Sequence, residues 1–193
     1  TMAENQDRSG LRGQLILAGM EELNEHGFQN FSVRRIAASC GVSCAAPYRH
    51  FKDKHSFVAA IIEYINSVWQ ERQQEIIAAC PGSLRRQLVE ISVEYIRFLV
   101  ENPYFRSTIM LRDDGFDREL LRPKGQLSPI SYELVGKYCA EVGMPDSVRH
   151  FKLYIVRSLI YGAALMFDNG EMEYCEENIQ LVRRAISREF DLE

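Results

Sequence analysis

Apolar positions along this chain recur every three to four residues and almost never alternate, a pattern that predicts helices and no sheet. Leu11, Leu15, Ala18, Gly19 and Leu23 share one face of a first helix, from about Leu11 to Glu25. His26-Gly27 ends it, because glycine tolerates the left-handed backbone that often closes a helix. After the connector Phe28 to Phe31, Ser32 is placed to cap a short helix from Val33 to Ser39 or Cys40. Its inward residues are Val33, Ile36, Ala37 and Cys40. Gly41 breaks it. Ser43 reads as the next cap, and a third helix runs to about Phe51. Pro47 lies early enough in it to forfeit only the first helical hydrogen bond.

A long fourth helix follows, from about Lys54 to Ala79, with Val58, Ile61, Ile62, Ile65, Val68 and Trp69 on one side. Pro81-Gly82 stops it. Ser83 caps a helix to about Glu101 that bears Leu84, Leu88, Ile91, Tyr95, Phe98 and Leu99. Further along, the pattern gives a short helix from Tyr104 to about Leu111 and a polar loop to Leu127. Ser128-Pro129 opens a helix to about Glu141, a long one follows to about Phe167, and a last one spans Tyr174 to Phe190. The expected fold is all-α, with about nine helices. A three-helix domain over residues 1–53 precedes a larger helical bundle over 54–193.

Composition narrows the class. The chain has 193 residues, 46% of them hydrophobic and 26% charged, which is ordinary for a globular protein. No apolar run approaches the roughly 18 residues of a membrane span, and the polar start Thr1 to Gly10 lacks the apolar stretch of a signal peptide. A cytoplasmic protein without a membrane partner is expected. Five cysteines at irregular spacing argue for reduced thiols rather than a disulfide framework. An enzyme built on a helical bundle finds no support, since the chain lacks a Glu-x-x-His pair, a glycine-rich phosphate loop and a nucleophile motif. No cofactor is expected. Cys40 and Cys44 have no ligand set around them, and Asp113 to Asp117 lacks the later ligands of a calcium loop, so no metal is expected either.

Charge distribution changes the picture more than the net value of −4. Between Arg34 and Lys54 stand five basic residues (Arg34, Arg35, Arg49, Lys52, Lys54) and one acid, Asp53. From Phe57 onward, 16 Lys/Arg face 21 Asp/Glu. A basic island thus precedes an acidic body, and such an island can meet phosphates. It coincides with the segment Ser32 to Lys54, which has the parts of a helix-turn-helix. Small Ala37 permits a close crossing, Gly41 permits the turn, and Ile36, Cys40, Val42 and Pro47 fill the space between two short helices.

These residues resemble the TetR family of bacterial regulators. The likeness rests on His26-Gly27-Phe28, on Ser32-Val33-Arg34-Arg35-Ile36-Ala37, on the turn Gly41-Val42-Ser43, on Tyr48-Arg49-His50-Phe51, and on Lys54. It covers about Leu11 to Phe57. Beyond that, the chain is similar to the family in helix number and order, with local likeness at Tyr95 to Pro103 and at Leu159 to Glu171. The resemblance implies that Tyr48, His50 and Lys54 contact phosphates, that Arg34 reaches a base, and that Ser43, Cys44 and Ala45 begin the base-facing segment. An arginine can bridge guanine O6 and N7, whereas Cys44, Ala45 and Ala46 have almost no hydrogen-bonding capacity. Sequence reading is therefore expected from Arg34, Ser43 and Arg49, from thymine methyl contacts and from DNA shape.

The expected partners are double-stranded operator DNA, a second copy of the chain and a small-molecule effector. Trp69, Tyr95, Phe98, Phe105, Met110, Tyr138, Tyr161 and Met166 are candidates to line an effector cavity, although each is of a type that also builds ordinary cores. The long helix ending near Phe167 is apolar nearly all round, so one face serves its own core and the other a partner. The resemblance implies a four-helix dimer interface from the last two long helices, with Leu159, Gly162, Ala163, Ile179, Val182 and Ile186 as candidate contacts. It also implies a repressor released by a small, largely apolar ligand. Two other readings remain open: a helical protein–protein adaptor, against which the basic island argues, and a thiol-based redox regulator using Cys44, which sits at a helix start near Arg and His.

Overall fold

A computed structural model describes residues 10–103, 105–106 and 128–191. Among these residues the chain forms seven α-helices and one 3-10 turn, and no strand. They are α1 (Leu11–His26), α2 (Val33–Ser39), the 3-10 turn (Pro47–Arg49), α3 (Lys54–Ala79), α4 (Leu84–Glu101), α5 (Pro129–Glu141), α6 (Asp146–Asp168) and α7 (Glu176–Glu189). The count of about nine is corrected to seven α-helices among the described residues. The expected helix beginning at Tyr104 and the loop after it fall largely outside them.

Helix ends follow the local chemistry. Gly27 closes α1 at φ 68, with its N–H donating to Leu23 O at 2.9 Å. Ser32, Ser83 and Ser128 each accept a hydrogen bond from the backbone N–H three residues on, and so cap α2, α4 and α5. Gly41 adopts φ 69, which swings the chain back so that Val42 N–H donates to Ala37 O at 3.0 Å. That bond is the tight turn between the two short elements of the helix-turn-helix.

The described residues up to Val68 form one compact unit, and those from Trp69 on form a second. The first unit runs past residue 53, where the pattern placed a boundary, because the start of α3 supplies its core. Phe57 is fully buried; its ring stacks on Phe51 at 3.9 Å and meets the Phe31 ring edge-on at 5.5 Å. Gly19 lets α1 approach α3. A Cβ there would lie 2.6 Å from Ile61 Cδ1 and 3.3 Å from Phe57 Cε2.

In the second unit α4 packs on α5, α6 and α7, and α6 packs on α7. The Tyr138 hydroxyl on α5 donates to Phe190 O just past α7. A polar knot sits inside. Gln73 is fully buried; its amide donates to Ser131 Oγ at 2.7 Å and accepts from Ser128 Oγ at 2.9 Å. A buried amide would be costly without those partners.

Helix α6 has two sharply different sides. Val156, Ile160, Ala163, Ala164 and Phe167 are buried, while Phe151, Tyr154, Leu165 and Met166 are exposed. Among the described residues no helix is long and apolar enough to cross a membrane, and no three His, Cys, Asp or Glu side chains are grouped as metal ligands.

Candidate nucleic-acid interface

The segment expected to read DNA is not an α-helix from Ser43 to Phe51. It is a turn at Cys44–Ala45 followed by the 3-10 turn Pro47–Arg49. Proline is the reason. Pro47 has no N–H to donate to Ser43 O, and that carbonyl is taken by Ala46 N–H at 2.9 Å, a tighter register. Arg49 N–H likewise donates to Ala46 O and His50 N–H to Pro47 O. Pro47 is buried and anchors the turn, while Ser43, Cys44, Ala45, Tyr48, Arg49 and His50 are all exposed on it. Tyr48 is an apolar ring at 58% exposure with a hydroxyl donor. Arg34 is exposed on α2.

Lys54 and Arg35 are more constrained than the sequence implied. Lys54 is half-buried; its Nζ donates to Gln29 O at 3.2 Å and lies 4.4 Å from the centre of the Phe28 ring. Two of its three N–H groups remain for another acceptor. Arg35 forms an ion pair with Glu22 of α1 and also donates to Asn30 O at 2.6 Å. Glu22 is buried and accepts from Ser32 N–H at 2.9 Å as well. The pair therefore ties α1 to the start of α2. Burial alone would raise the Glu22 carboxyl, but the hydrogen bonds from Arg35 and Ser32 outweigh it and hold the group below its ordinary range. With Arg35 held by Glu22, the other exposed cations of the island are Arg34, Arg49 and Lys52.

Because the folded carboxyl is depressed, its contribution is present above the unfolded pKa and is lost as pH falls through the folded one. Glu22→Gln is expected to cost about 1–3 kcal/mol at neutral pH, as a charged hydrogen-bond acceptor is lost. The gap between variant and parent should narrow in acid, as pH falls through the depressed folded pKa. Thermal unfolding at pH 7 and pH 3.5 checks this, and an equal gap at both would count against the pair.

The start of α3 is also less open to phosphate than helix polarity alone suggests. Asp53 Oδ1 accepts from Ser56 N–H at 2.8 Å, and Ser56 Oγ accepts from Asp53 N–H at 2.9 Å. This reciprocal cap already places a carboxylate at the helix N-terminus, and the Ser56 hydrogen bonds hold Asp53 below its ordinary pKa. Neither the cap nor the Glu22–Arg35 pair was read from sequence. Asp53 followed three residues later by Ser56 was the available signal for the cap. Glu22, an acid on the core side of α1, was the signal for the pair.

In the second unit the structure gathers several of the aromatic candidates and scatters others. Trp69, Tyr95 and Phe98 form one cluster, with ring centres 4.7 Å apart for Trp69–Tyr95 and 5.2 Å for Trp69–Phe98. Phe105 adds an edge contact to Phe98 at 5.7 Å. Tyr161 is half-buried on α6. Tyr138 belongs to a different place, the α5–α7 contact, where its ring meets Phe190 at 5.7 Å. Met166 is corrected from a cavity residue to a surface one, because it points off the exposed side of α6 at 45% exposure. Met110 lies outside the described residues.

The dimer candidates divide in the same way. Leu159 is half-buried and Gly162 exposed, on the outward side of α6. Ala163, Ile179, Val182 and Ile186 are buried in the core of their own chain. They have little area to offer a partner, so the available apolar surface is instead Phe151, Tyr154, Leu165 and Met166 on α6, with Leu181 on α7. The sequence showed two apolar faces on α6 but not which face turns inward on α7.

Residues 15–61 match the family described as bacterial regulatory proteins, tetR family. Two curated proteins are similar to parts of the chain. A nucleoid occlusion factor SlmA from Cronobacter sakazakii is 39% identical over 66 residues, 33% of this chain and 33% of its own. A tetracycline repressor protein class G from Vibrio anguillarum is 30% identical over 105 residues, 54% of this chain and 43% of its own. The chain thus spans less than half the length of these relatives. The fold is similar over 91% of the chain and 96% of a TetR/AcrR family transcriptional regulator from Thermobifida fusca, at TM-score 0.63 and 23% identity. The helix-turn-helix described above lies within residues 15–61, the part of the chain that is similar to the tetR family of bacterial regulatory proteins.

Proposed function

We propose that the chain is a dimeric transcriptional repressor that grips operator DNA through its first unit and lets go when its second unit takes up a small, largely apolar molecule. One observation supports this most directly. Ser43, Tyr48, Arg49 and His50 stand exposed on a short turn anchored by buried Pro47, with Arg34 exposed on the neighbouring helix, whose Ile36 and Ala37 are buried. The exposed set is what a duplex needs: phosphate donors beside an arginine able to reach a base edge. A Tyr48 hydroxyl, a His50 imidazole and the remaining N–H groups of Lys54 serve the strands, and Arg34 and Arg49 serve the groove.

Two-fold pairing follows from the outward side of α6. Phe151, Tyr154, Leu165 and Met166 are exposed there, with Gly162 and Ser158 leaving room for close approach. A second copy laid against this side and against Leu181 of α7 gives an isologous interface. The two reading turns then address half-sites about 34–36 Å apart. Helix α3 runs unbroken from Lys54 to Ala79, so it is a direct route by which an event near Trp69 displaces the reading turn. A coupling of about 1–3 kcal/mol weakens operator binding by about 5–150-fold.

Fragments flanking the reading frame, titrated with the full chain at several salt concentrations, test the DNA-binding reading. Affinity should fall steeply with salt as phosphate contacts are lost, and sedimentation should give twice the mass of one chain. Failure to retain any such fragment in dilute buffer removes the regulator reading. A monomer at micromolar concentration removes the paired geometry.

A further inference from the structure

Helix α4 carries Glu94, Phe98 and Glu101 on one face, at the spacing that aligns side chains on successive turns. Arg72 of α3 lies across all three. One of its terminal nitrogens donates to Glu94 Oε1 at 3.0 Å, the other donates to Glu101 Oε2 at 2.8 Å, and the guanidinium sits 5.5 Å from the centre of the Phe98 ring. Arg97, one turn on from Glu94, reaches a different helix. Its Nε is 3.8 Å from Glu94 Oε2, and a terminal nitrogen donates at 2.7 Å to Oε2 of Glu176, the first residue of α7. Glu176 Oε1 also accepts from Gln180 Nε2 at 2.7 Å. Acid and base thus alternate from Glu101 through Arg72, Glu94 and Arg97 to Glu176, and the series joins α3 to α7 across α4.

Glu94 is the shared member. One of its oxygens serves Arg72 and the other serves Arg97. A carboxylate is a rigid plane, so turning it to follow either arginine carries an oxygen away from the other. A displacement of α3 therefore changes what Arg97 meets at Glu94, and with it the hold on Glu176. Isolated exposed ion pairs contribute little, because water and salt screen them. The central members here are better placed. Arg72, Glu94 and Arg97 are only 30%, 29% and 29% exposed, and each arginine faces two carboxylates. Glu90 and Arg183 make another ion pair between α4 and α7, but among the described residues no ion pair leads from either of them to α3.

We infer that Arg72, Glu94 and Arg97 are positioning residues that couple α7 to α3, so that the seat of one helix and the setting of the other depend on a common charge network. The inference rests on the regulator reading above and gives it a second input besides the small molecule. A second copy pairing near Leu181 of α7 biases α3, the helix that follows the reading turn directly in the chain. Binding linkage is reciprocal, so promoter binding biases pairing by the same factor. The warrant is the divided carboxylate of Glu94, not the nearness of the helices, since nearness alone does not establish coupling.

A double-mutant cycle on the full chain tests the network without DNA. Arg72→Met and Glu176→Gln remove charges on either side of the Glu94–Arg97 contact. Independent effects on the urea unfolding constant multiply. Within one network the double variant should lose less than that product, by about twofold or more. A simple product overturns the inference, whatever the chain does with DNA. Promoter affinity is the second measurement. Glu176→Gln should shift it by about 2–30-fold, whereas Glu90→Gln, which breaks the other pair between the same two helices, should leave it where it was. Equal shifts would reduce α7 to a docked helix and overturn the coupling. Exchanging the end pair, Arg97→Glu together with Glu176→Arg, keeps opposite charges across α4 and α7 but sets two acids side by side at positions 94 and 97. That exchange should leave promoter affinity shifted, and a return to the parental value overturns the coupling. Should the unaltered chain bind no promoter fragment, the regulator reading fails by itself, and the unfolding cycle alone decides whether α7 and α3 are coupled.

Discussion

Replacing Phe57 by alanine is expected to cost about 3–5 kcal/mol, the range for emptying a fully buried aromatic site. The ring is fully buried, stacked on Phe51 and edge-on to Phe31. It also faces Gly19, where α1 has no side chain. Nothing nearby can swing in to fill the hole: the facing rings are themselves packed, and a glycine has no atoms to offer. Domains are held by about 5–15 kcal/mol in total, so this is a large share of what keeps the helix-turn-helix upright. Urea unfolding followed by far-UV circular dichroism should show a clear drop in midpoint, and promoter binding should fail at temperatures the parent tolerates. An unchanged midpoint would mean that the three-ring stack is not what supports the reading turn.

The second large effect concerns the surface that core presents. Arg34→Ala should weaken operator binding by about 5–150-fold, since a bidentate arginine–guanine contact is worth about 1–3 kcal/mol. The loss should come with relaxed preference at one base position. Arg49→Ala should reduce the slope of log affinity against log salt by about one, as expected for one lost phosphate contact. Arg35 supplies the contrast. It is adjacent to Arg34 in sequence, yet its guanidinium is held by Glu22 and Asn30 O. Arg35→Gln should lower thermal stability and leave the salt slope almost unchanged. A slope that falls as much for Arg35→Gln as for Arg49→Ala would show that the ion pair opens on DNA.

This difference between neighbouring arginines marks where the sequence stopped being informative. Helix limits were legible because they depend on residues close in the chain: Ser32, Ser83 and Ser128 cap where they stand, and Gly27 and Gly41 turn where they stand. That Tyr48, Arg49 and His50 share one short segment was legible for the same reason, and the structure leaves all three exposed there. Three features were not. The reading segment is a 3-10 turn because Ala46 takes the carbonyl that Pro47 cannot reach, a competition between adjacent registers that periodicity does not register. The Glu22–Arg35 pair joins residues 13 apart in sequence, and no local rule predicts which acid a given arginine will choose. On α7, Ile179, Val182 and Ile186 form an apolar stripe whose partner is equally well a second copy or its own chain. Only packing against α4 and α6 decides for the latter.

The exposed turn at Cys44 and Ala45 has a bearing on how such a protein changes over time. Both side chains are short and face solvent, while the turn that presents them is held from beneath by buried Pro47 and by hydrogen bonds among backbone atoms. Swapping either for a longer polar residue disturbs none of those supports. Under the proposed DNA-reading role, new target preferences are thus within reach of single codon changes that leave folding alone.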